Sequence, residues 1–296
     1  MSREAHPALP EFDYIKPKTL PEACSFLADH PGEARPLLGG TDIFVRMRDG
    51  VFKEKYLVDI KGLDGTDEIH FDPKSGLIIG AAVTMNRVSA NPAVQEHYPL
   101  LAEACDSVAS YQLRNRATVV GNICNASPAG DTIGACLLYD GVLHIHGKKG
   151  ERQQHLSAFF KGPGLSSLEP GDVVVSLRLP VPPKGFVGKY LKLNRNHRGD
   201  LAIVGVTACA YPNNHVPSGH TVKVALASVA PTPLLVSEVE KFFRNEELSE
   251  ASISRAAQMA MEACSPIDDV RGTERYRKLM VRNLTQQALR ALPLER

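Results

Sequence analysis

Two polar stretches about 80 residues apart hold the residue types from which a site for a phosphorylated ligand can be built. The first is Arg35-Pro36-Leu37-Leu38-Gly39-Gly40-Thr41-Asp42. Two glycines after a strand-like run let the chain turn with positive φ and let a ligand approach the backbone closely. Successive N–H groups freed in such a turn form an anion-binding nest suited to pyrophosphate, and Thr41 adds a hydroxyl donor. A Gly-Gly pair by itself more often just makes a turn. The second stretch runs from Arg114 to Thr132 and carries Thr118, Gly121, Asn122, Asn125, Ser127 and Asp131. An Asp or Asn there suits ribose hydroxyls, as acidic residues do in other nucleotide sites. The bland alternative is an Asn- and Ser-rich surface loop, yet such loops seldom carry Val, Ile and Cys between the polar groups.

Other chemistry finds little support. The six cysteines contain no CxxC, and the closest pair, Cys124 and Cys136, is 12 residues apart. Zinc and iron–sulfur sites draw ligands from shorter spacings, so these thiols read as small apolar or free groups. His144 and His146 share a face of a presumed strand but lack a third metal ligand nearby. His197, between basic neighbours, reads as a solvated loop histidine. Arg275, Arg277, Lys278 and Arg282 read as a solvated face or subunit contact. No Walker A or GxGxxG motif appears, which argues against an ATPase or a Rossmann NAD domain.

The bulk properties agree. Lys plus Arg number 34 against 33 Asp plus Glu, a net charge of +1, where a nucleic-acid binder needs a basic excess. Apolar runs such as 203–211 fall well short of the roughly 20 residues of a membrane span. The start, MSREAHPALPEF, lacks a signal-peptide pattern. A soluble, cytoplasmic protein is expected, and 296 residues suggest about two domains.

The elements that must position the two stretches follow from pattern. Thr19-Leu20-Pro21-Glu22 reads as a capping box opening a helix with Ala23, Phe26 and Leu27 on one face. Strands are expected at 34–38 and 56–60, and a hairpin at 69–71 and 77–79 around Asp72-Pro73-Lys74-Ser75-Gly76. Helices follow at 98–108 and 131–139, then strands at 142–146 and 173–179. Pro180, Pro182 and Pro183 cannot lie inside a helix or central strand, which places a boundary there. Beyond it come strands near 189–193, 201–211 and 222–229, then helices at 236–242, 249–264 and 274–292. The class is α+β rather than doubly wound. The expected division is a first domain over 1–180, with a small α/β subdomain (about 1–60) and a mixed or antiparallel sheet subdomain (61–180), then a C-terminal α+β domain over 184–296.

At this point the chain resembles the FAD-binding medium subunits of the molybdenum hydroxylase family, which includes xanthine and carbon monoxide dehydrogenases. The family's A-G-G-T-D loop stands here as Leu38 to Asp42, with Leu38 for the Ala. Its R-N-x-A-T-(I/V)-G-G-N motif, ending A-S-P-x-x-D, stands as Arg114 to Asp131. Further matches are Phe12-Asp13-Tyr14, Leu168-Glu169-Pro170-Gly171-Asp172, Tyr190-Leu191-Lys192 with Arg195 and Asp200, Ala230-Pro231-Thr232-Pro233 and Arg271-Gly272-Thr273-Glu274-Arg275-Tyr276.

The resemblance implies noncovalent FAD, with Leu37, Leu38, Gly39, Gly40, Thr41 and Asp42 around its pyrophosphate. It further implies Thr118, Gly121 and Asn122 on the pyrophosphate and flavin side, and Asn125 and Asp131 toward phosphate and ribose. Ala109, Val174 and Lys192 would line the cleft more loosely, with Lys192 near the isoalloxazine, where a cation favours the anionic reduced form. Val120 departs from the family's first Gly and cannot freely take positive φ, which would shift the loop slightly. No catalytic acid or base is needed, because the flavin supplies the redox chemistry. The implied assembly adds a small subunit with [2Fe-2S] clusters and a large molybdenum–pterin subunit, the trio doubled into a dimer of heterotrimers. The flavin would exchange electrons with NAD(P), a quinone or another carrier. The cysteine-rich insertion of relatives acting on aromatic thioesters is missing. Two other readings are a stand-alone flavin oxidase and a cofactor-free scaffold, the latter motivated only by Val120.

Overall fold

The computed structural model describes residues 8–196 and 199–294. A small parallel sheet comes first, with β1 (Asp13–Ile15), β2 (Ala34–Leu37) and β3 (Tyr56–Asp59) in the order β1-β3-β2. The crossover helix α1 (Leu20–Asp29) begins where its residue types dictate. Thr19 Oγ1 accepts the Glu22 N–H at 3.3 Å, while the Glu22 carboxylate accepts from Lys18 N–H at 2.7 Å, one residue upstream of the usual box partner. Ala23, Cys24 and Leu27 bury one face of α1, and Phe26 stacks on His30. A second helix, α2 (Ile43–Arg48), follows the Gly-Gly loop directly.

The second sheet is wholly antiparallel, in the order β4-β5-β10-β6-β7. Its strands are β4 (Ile69–Asp72), β5 (Gly76–Gly80), β6 (Val142–Gly147), β7 (Gly150–His155) and β10 (Val173–Leu179), with the short pair β8 (Phe160–Gly162) and β9 (Leu165–Ser166) between β7 and β10 in sequence. The β4–β5 turn forms because Asp72 Oδ1 accepts the N–H groups of Lys74 and Ser75 at 2.9 and 2.8 Å, an Asx turn. Between β5 and β6 the chain makes six helices: α3 (Met85–Ala90), α4 (Pro92–His97), α5 (Pro99–Asp106), α6 (Tyr111–Arg114), α7 (Val119–Cys124) and α8 (Ile133–Leu138). Helix α7 packs on β10, the central strand.

After Pro180, Pro182 and Pro183 comes the antiparallel sheet β11 (Val187–Leu193), β12 (Val204–Pro212), β13 (His220–Ala227) and β14 (Leu234–Leu235), in chain order. Helices α9 (Ser237–Phe243), α10 (Glu250–Glu262) and α11 (Glu274–Arg290) complete the fold. Strand β12 is buried on both faces. Val204, Val206, Ala208 and Ala210 join a core with Val281 and Ala288 of α11, whereas Cys209 points into the core built by the first half, the alternation expected of a strand. A run of aromatic rings spans the proline link: Tyr98 to Tyr139 at 5.1 Å, Tyr139 to Phe186 at 4.6 Å and Phe186 to Tyr211 at 6.3 Å.

One expectation is corrected here. Arg275 and Arg282 are exposed, but Arg277 is buried at 2% exposure. Its guanidinium donates to Ile203 O at 2.7 Å, Ser228 O at 3.0 Å and Asp269 Oδ1 at 2.6 Å. The charge is buried because every direction it faces offers an oxygen.

Candidate functional site

A cleft of about 490 Å³ is lined by the β2–α2 loop, α7 and the loop after it, and the 164–172 segment. Its size is that of an ordinary cofactor site. The residues singled out in the sequence line it, except Leu37 and Lys192. Leu37 turns instead into a small core with Met47 and Leu57.

The first loop begins where the parallel ladder stops. Leu37 O accepts the Ile60 N–H at 3.3 Å, and past it the N–H groups of Gly39, Gly40, Thr41 and Asp42 meet no protein acceptor among the described residues. Gly40 takes φ +73°, the left-handed region that favours glycine. A Cβ on Gly39 would collide with the carbonyl oxygen of Arg116, so the two loops touch backbone to backbone.

The second stretch is half helix. Thr118 is the N-cap of α7, extended at φ −118° and ψ 152°, and its Oγ1 accepts the Gly121 N–H at 2.9 Å. That N–H is therefore spoken for. The Val120 amide is the first-turn N–H without a protein acceptor among the described residues, at the positive end of the helix, whereas the antiparallel bridge of Thr118 with Thr84 turns the Val119 N–H toward Val83. Val120 is helical and 1% exposed; its side chain fills core, and this position needs no positive φ. Asn122 Oδ1 accepts from the Thr132 hydroxyl at 2.8 Å, leaving its amide N–H groups as donors. Asn125 closes α7 as its C-cap, with its N–H on Gly121 O at 2.9 Å. The loop after it is pinned twice, by Gly164 N–H on Ala126 O at 3.0 Å and Ser228 N–H on Pro128 O at 2.8 Å.

Asp131 is 6% exposed. Its Oδ1 accepts from the Tyr190 hydroxyl at 2.6 Å, and its Oδ2 from Lys192 Nζ at 2.9 Å. Lys192 Nζ also reaches Ser107 O at 3.2 Å. Burial pushes the Asp131 carboxyl above its ordinary range, against the opposing pull of Lys192 and Tyr190. Burial and the Asp131 charge push the Tyr190 phenol far up, so it remains a donor. The lysine expected beside the ring system thus spends its charge on Asp131, behind the cleft wall. Ala109 holds φ +42°, a conformation costing a non-glycine residue about 1–2 kcal/mol. Val174 lies at the β10 bulge.

Phe52, Met85, Leu113, Leu168 and Leu201, which no motif of the sequence points to as ligand contacts, also line the cleft. They are apolar residues with no spacing signal, although Leu168 opens the Leu168-Glu169-Pro170-Gly171-Asp172 run already noted. Arg35 stacks on Phe52 at 3.9 Å and donates to Glu54 at 2.7 Å. Arg195 pairs with Asp200 at 3.1 Å, while His197 and Arg198 lie outside the described residues. The five buried cysteines and half-buried Cys124 are all free thiols.

Comparison with known proteins places this geometry. Residues 10–182 match the family described as the FAD binding domain in molybdopterin dehydrogenase, and residues 189–292 match the CO dehydrogenase flavoprotein C-terminal domain. The carbon monoxide dehydrogenase medium chain of Hydrogenophaga pseudoflava is 31% identical over 285 residues, 95% of this chain and 97% of that one. The putative xanthine dehydrogenase FAD-binding subunit of Escherichia coli (strain K12) is 29% identical over 278 residues, 93% and 94% of the two chains. The solved structure of the Hydrogenophaga pseudoflava carbon monoxide dehydrogenase that lacks the Mo-pyranopterin moiety matches with a TM-score of 0.91 at 29% identity, covering 96% of this chain and 98% of that one. Quinoline 2-oxidoreductase from Pseudomonas putida 86 matches at 0.87 and 25% identity, covering 95% and 96%. By sequence, fold and cleft alike, the chain belongs to the FAD-binding family of the molybdopterin dehydrogenases, in the form that ends with the CO dehydrogenase flavoprotein C-terminal domain.

Proposed function

We propose that this chain holds FAD noncovalently in the cleft and serves as the medium, electron-relaying subunit of a molybdenum hydroxylase. The observation that carries the reading is the row of unpaired amides at Gly39 to Asp42, in one cleft with the free Val120 amide of α7. Backbone donors from both loops suit a pyrophosphate, and a neutral apolar ligand would leave them unpaired. The cleft therefore fits the cofactor that the family implies.

In this reading Gly39, Gly40, Thr41 and Asp42 hold the pyrophosphate with Val120, while Leu37 and Leu38 shape the loop from below. Thr118 and Gly121 build the helix start, and Asn122 and Asn125 offer amides. Asp131 accepts a hydroxyl of the cofactor, Ala109 and Val174 form the wall, and Lys192 anchors Asp131. None of these residues acts as a general acid or base. FAD, when bound, supplies the ability to exchange electrons singly or in pairs. The chain's contribution is to fix it and exclude water. We assign the division at the proline link, 1–180 against 184–296, with the smaller division near residue 60.

The partners of this reading are a small subunit with [2Fe-2S] clusters and a large molybdenum–pterin subunit that handles the organic substrate, the trio doubled into a dimer of heterotrimers. The external carrier is NAD(P), a quinone or another acceptor, and the compartment is the cytoplasm. Among the described residues no helix is long and apolar enough to cross a membrane.

The test is the absorption spectrum and acid-released cofactor of the chain purified alone and with its native partners. Flavin bands from released FAD in both samples, with iron–sulfur absorbance and molybdenum only in the partnered one, is the expected result. A colourless chain that takes up no added FAD overturns it.

A further inference from the structure

We propose that Tyr190 is a positioning residue for the cofactor: from the C-terminal sheet it fixes the Asp131 carboxylate in the orientation that accepts a cofactor hydroxyl. The inference rests on the FAD reading and adds to it a residue that does not itself line the cleft.

Asp131 precedes α8, whereas both of its donors stand on β11. Tyr190 and Lys192 are two residues apart on that strand and so share a face. Each takes one carboxylate oxygen, at 2.6 and 2.9 Å. A carboxylate oxygen can accept two hydrogen bonds, so capacity remains for a donor from the cleft that Asp131 lines. Tyr190 cannot swing away from this role. It is 5% exposed, its own N–H donates to Glu103 Oε2 at 3.0 Å, and its hydroxyl lies against Gly205 of β12, where a Cβ would meet it at 3.0 Å. Glu103 is in turn paired with Lys189. The phenol is thus clamped by α5 on its backbone side and by β12 on its ring side.

The chemistry of the clamp gives it a pH signature. The titratable groups facing Asp131 are Lys192 and Tyr190 from β11; on its own loop Thr132 is turned to Asn122, and on the α5 side the Ser107 carbonyl faces Lys192. Burial favours the neutral acid, and the two donors favour the carboxylate. Loss of the phenol removes one of those donors, so Asp131 takes up its proton at higher pH. A protonated Asp131 is a poorer acceptor for a cofactor hydroxyl.

The experiment is a titration of the full apo-chain with FAD, followed by flavin fluorescence from pH 5 to 8, for the wild type, Tyr190→Phe, Asp131→Asn and the double variant. Expected is a roughly tenfold weaker Kd for Tyr190→Phe at neutral pH, the scale of one hydrogen bond to a charged group. Its loss of affinity on acidification should begin at higher pH than in the wild type. Asp131→Asn should bind weakly with a flat profile, and the double variant no worse than Asp131→Asn alone. Site-specific 3-fluorotyrosine at position 190, a stronger donor of nearly the same shape, should move the acid limb the other way. The proposal is overturned if the Tyr190→Phe effect is equal at all pH values, or adds fully to that of Asp131→Asn, or is absent while the wild type binds FAD. A wild-type chain that takes up no FAD marks the failure of the FAD reading itself, and this inference goes with it.

Discussion

A Cβ built on Gly39 runs into the carbonyl oxygen of Arg116, which is backbone and cannot rotate aside. At Gly40 the obstacle is the Phe44 ring at 2.6 Å, a side chain that can move, and the demand there is the backbone at φ +73°. Gly39→Ala should therefore push the two loops apart, lowering stability by about 1–3 kcal/mol and weakening FAD at least tenfold. Thermal melts and a FAD titration check this, and unchanged FAD affinity would show that the loop contact is dispensable. These glycines and Thr41 were legible because their residue types are rare in company and do only a few things. The Asp131–Lys192 pair was not. Its members are 61 positions apart, and no local pattern says that a lysine near a cofactor will face an aspartate instead. Leu37 was misplaced for a similar reason, since strand alternation at the end of β2 turns its side chain to the core.

Among the elements, α7 shows what a short helix hides. Val119, Val120 and Ile123 are its buried positions, a helical spacing, but six residues are too few for a period to stand out. Helices α2, α3, α4 and α6 are as short or shorter and show no period either, whereas the longer α10 and α11 lie within the spans 249–264 and 274–292 read from the sequence. The cap of α7 has a measurable weight. Thr118→Ala should cost about 1 kcal/mol in urea unfolding and weaken FAD severalfold, because the Gly121 N–H loses its acceptor and the first turn frays. Thr118→Ser keeps the oxygen and should restore both. Equal losses in the two variants would show that the hydroxyl is not what matters.

Across the whole molecule, Arg277 ties the last helix to the cleft. Its acceptor Ile203 lies two residues past Leu201 of the cleft lining, and its acceptor Ser228 donates through its own N–H to Pro128 in the second loop. Arg277→Met should cost about 3 kcal/mol, the scale of breaking a buried pair, and weaken FAD from a distance. Burial works against ionisation of Asp269, but the Arg271 N–H and the Arg277 guanidinium outweigh it and hold the carboxyl below its ordinary value. A depressed folded value means stability that is present at neutral pH and lost only as the pH drops below about 4. Urea midpoints from pH 7 to 3 should accordingly fall steeply at the acid end in the wild type and less steeply in Arg277→Met; parallel curves would detach Asp269 from that limb. The same long reach governs synthesis. The central strand β10 is flanked by β5 and β6, so β5 leaves the ribosome nearly 100 residues before its neighbour, roughly 5–20 s at common elongation rates. The β5 edge stands open for that interval and the β6 edge for its closing part, and the β11 donors to Asp131 emerge later still. A growing chain should need chaperone cover through its first two-thirds, and cofactor capture belongs to the end of translation.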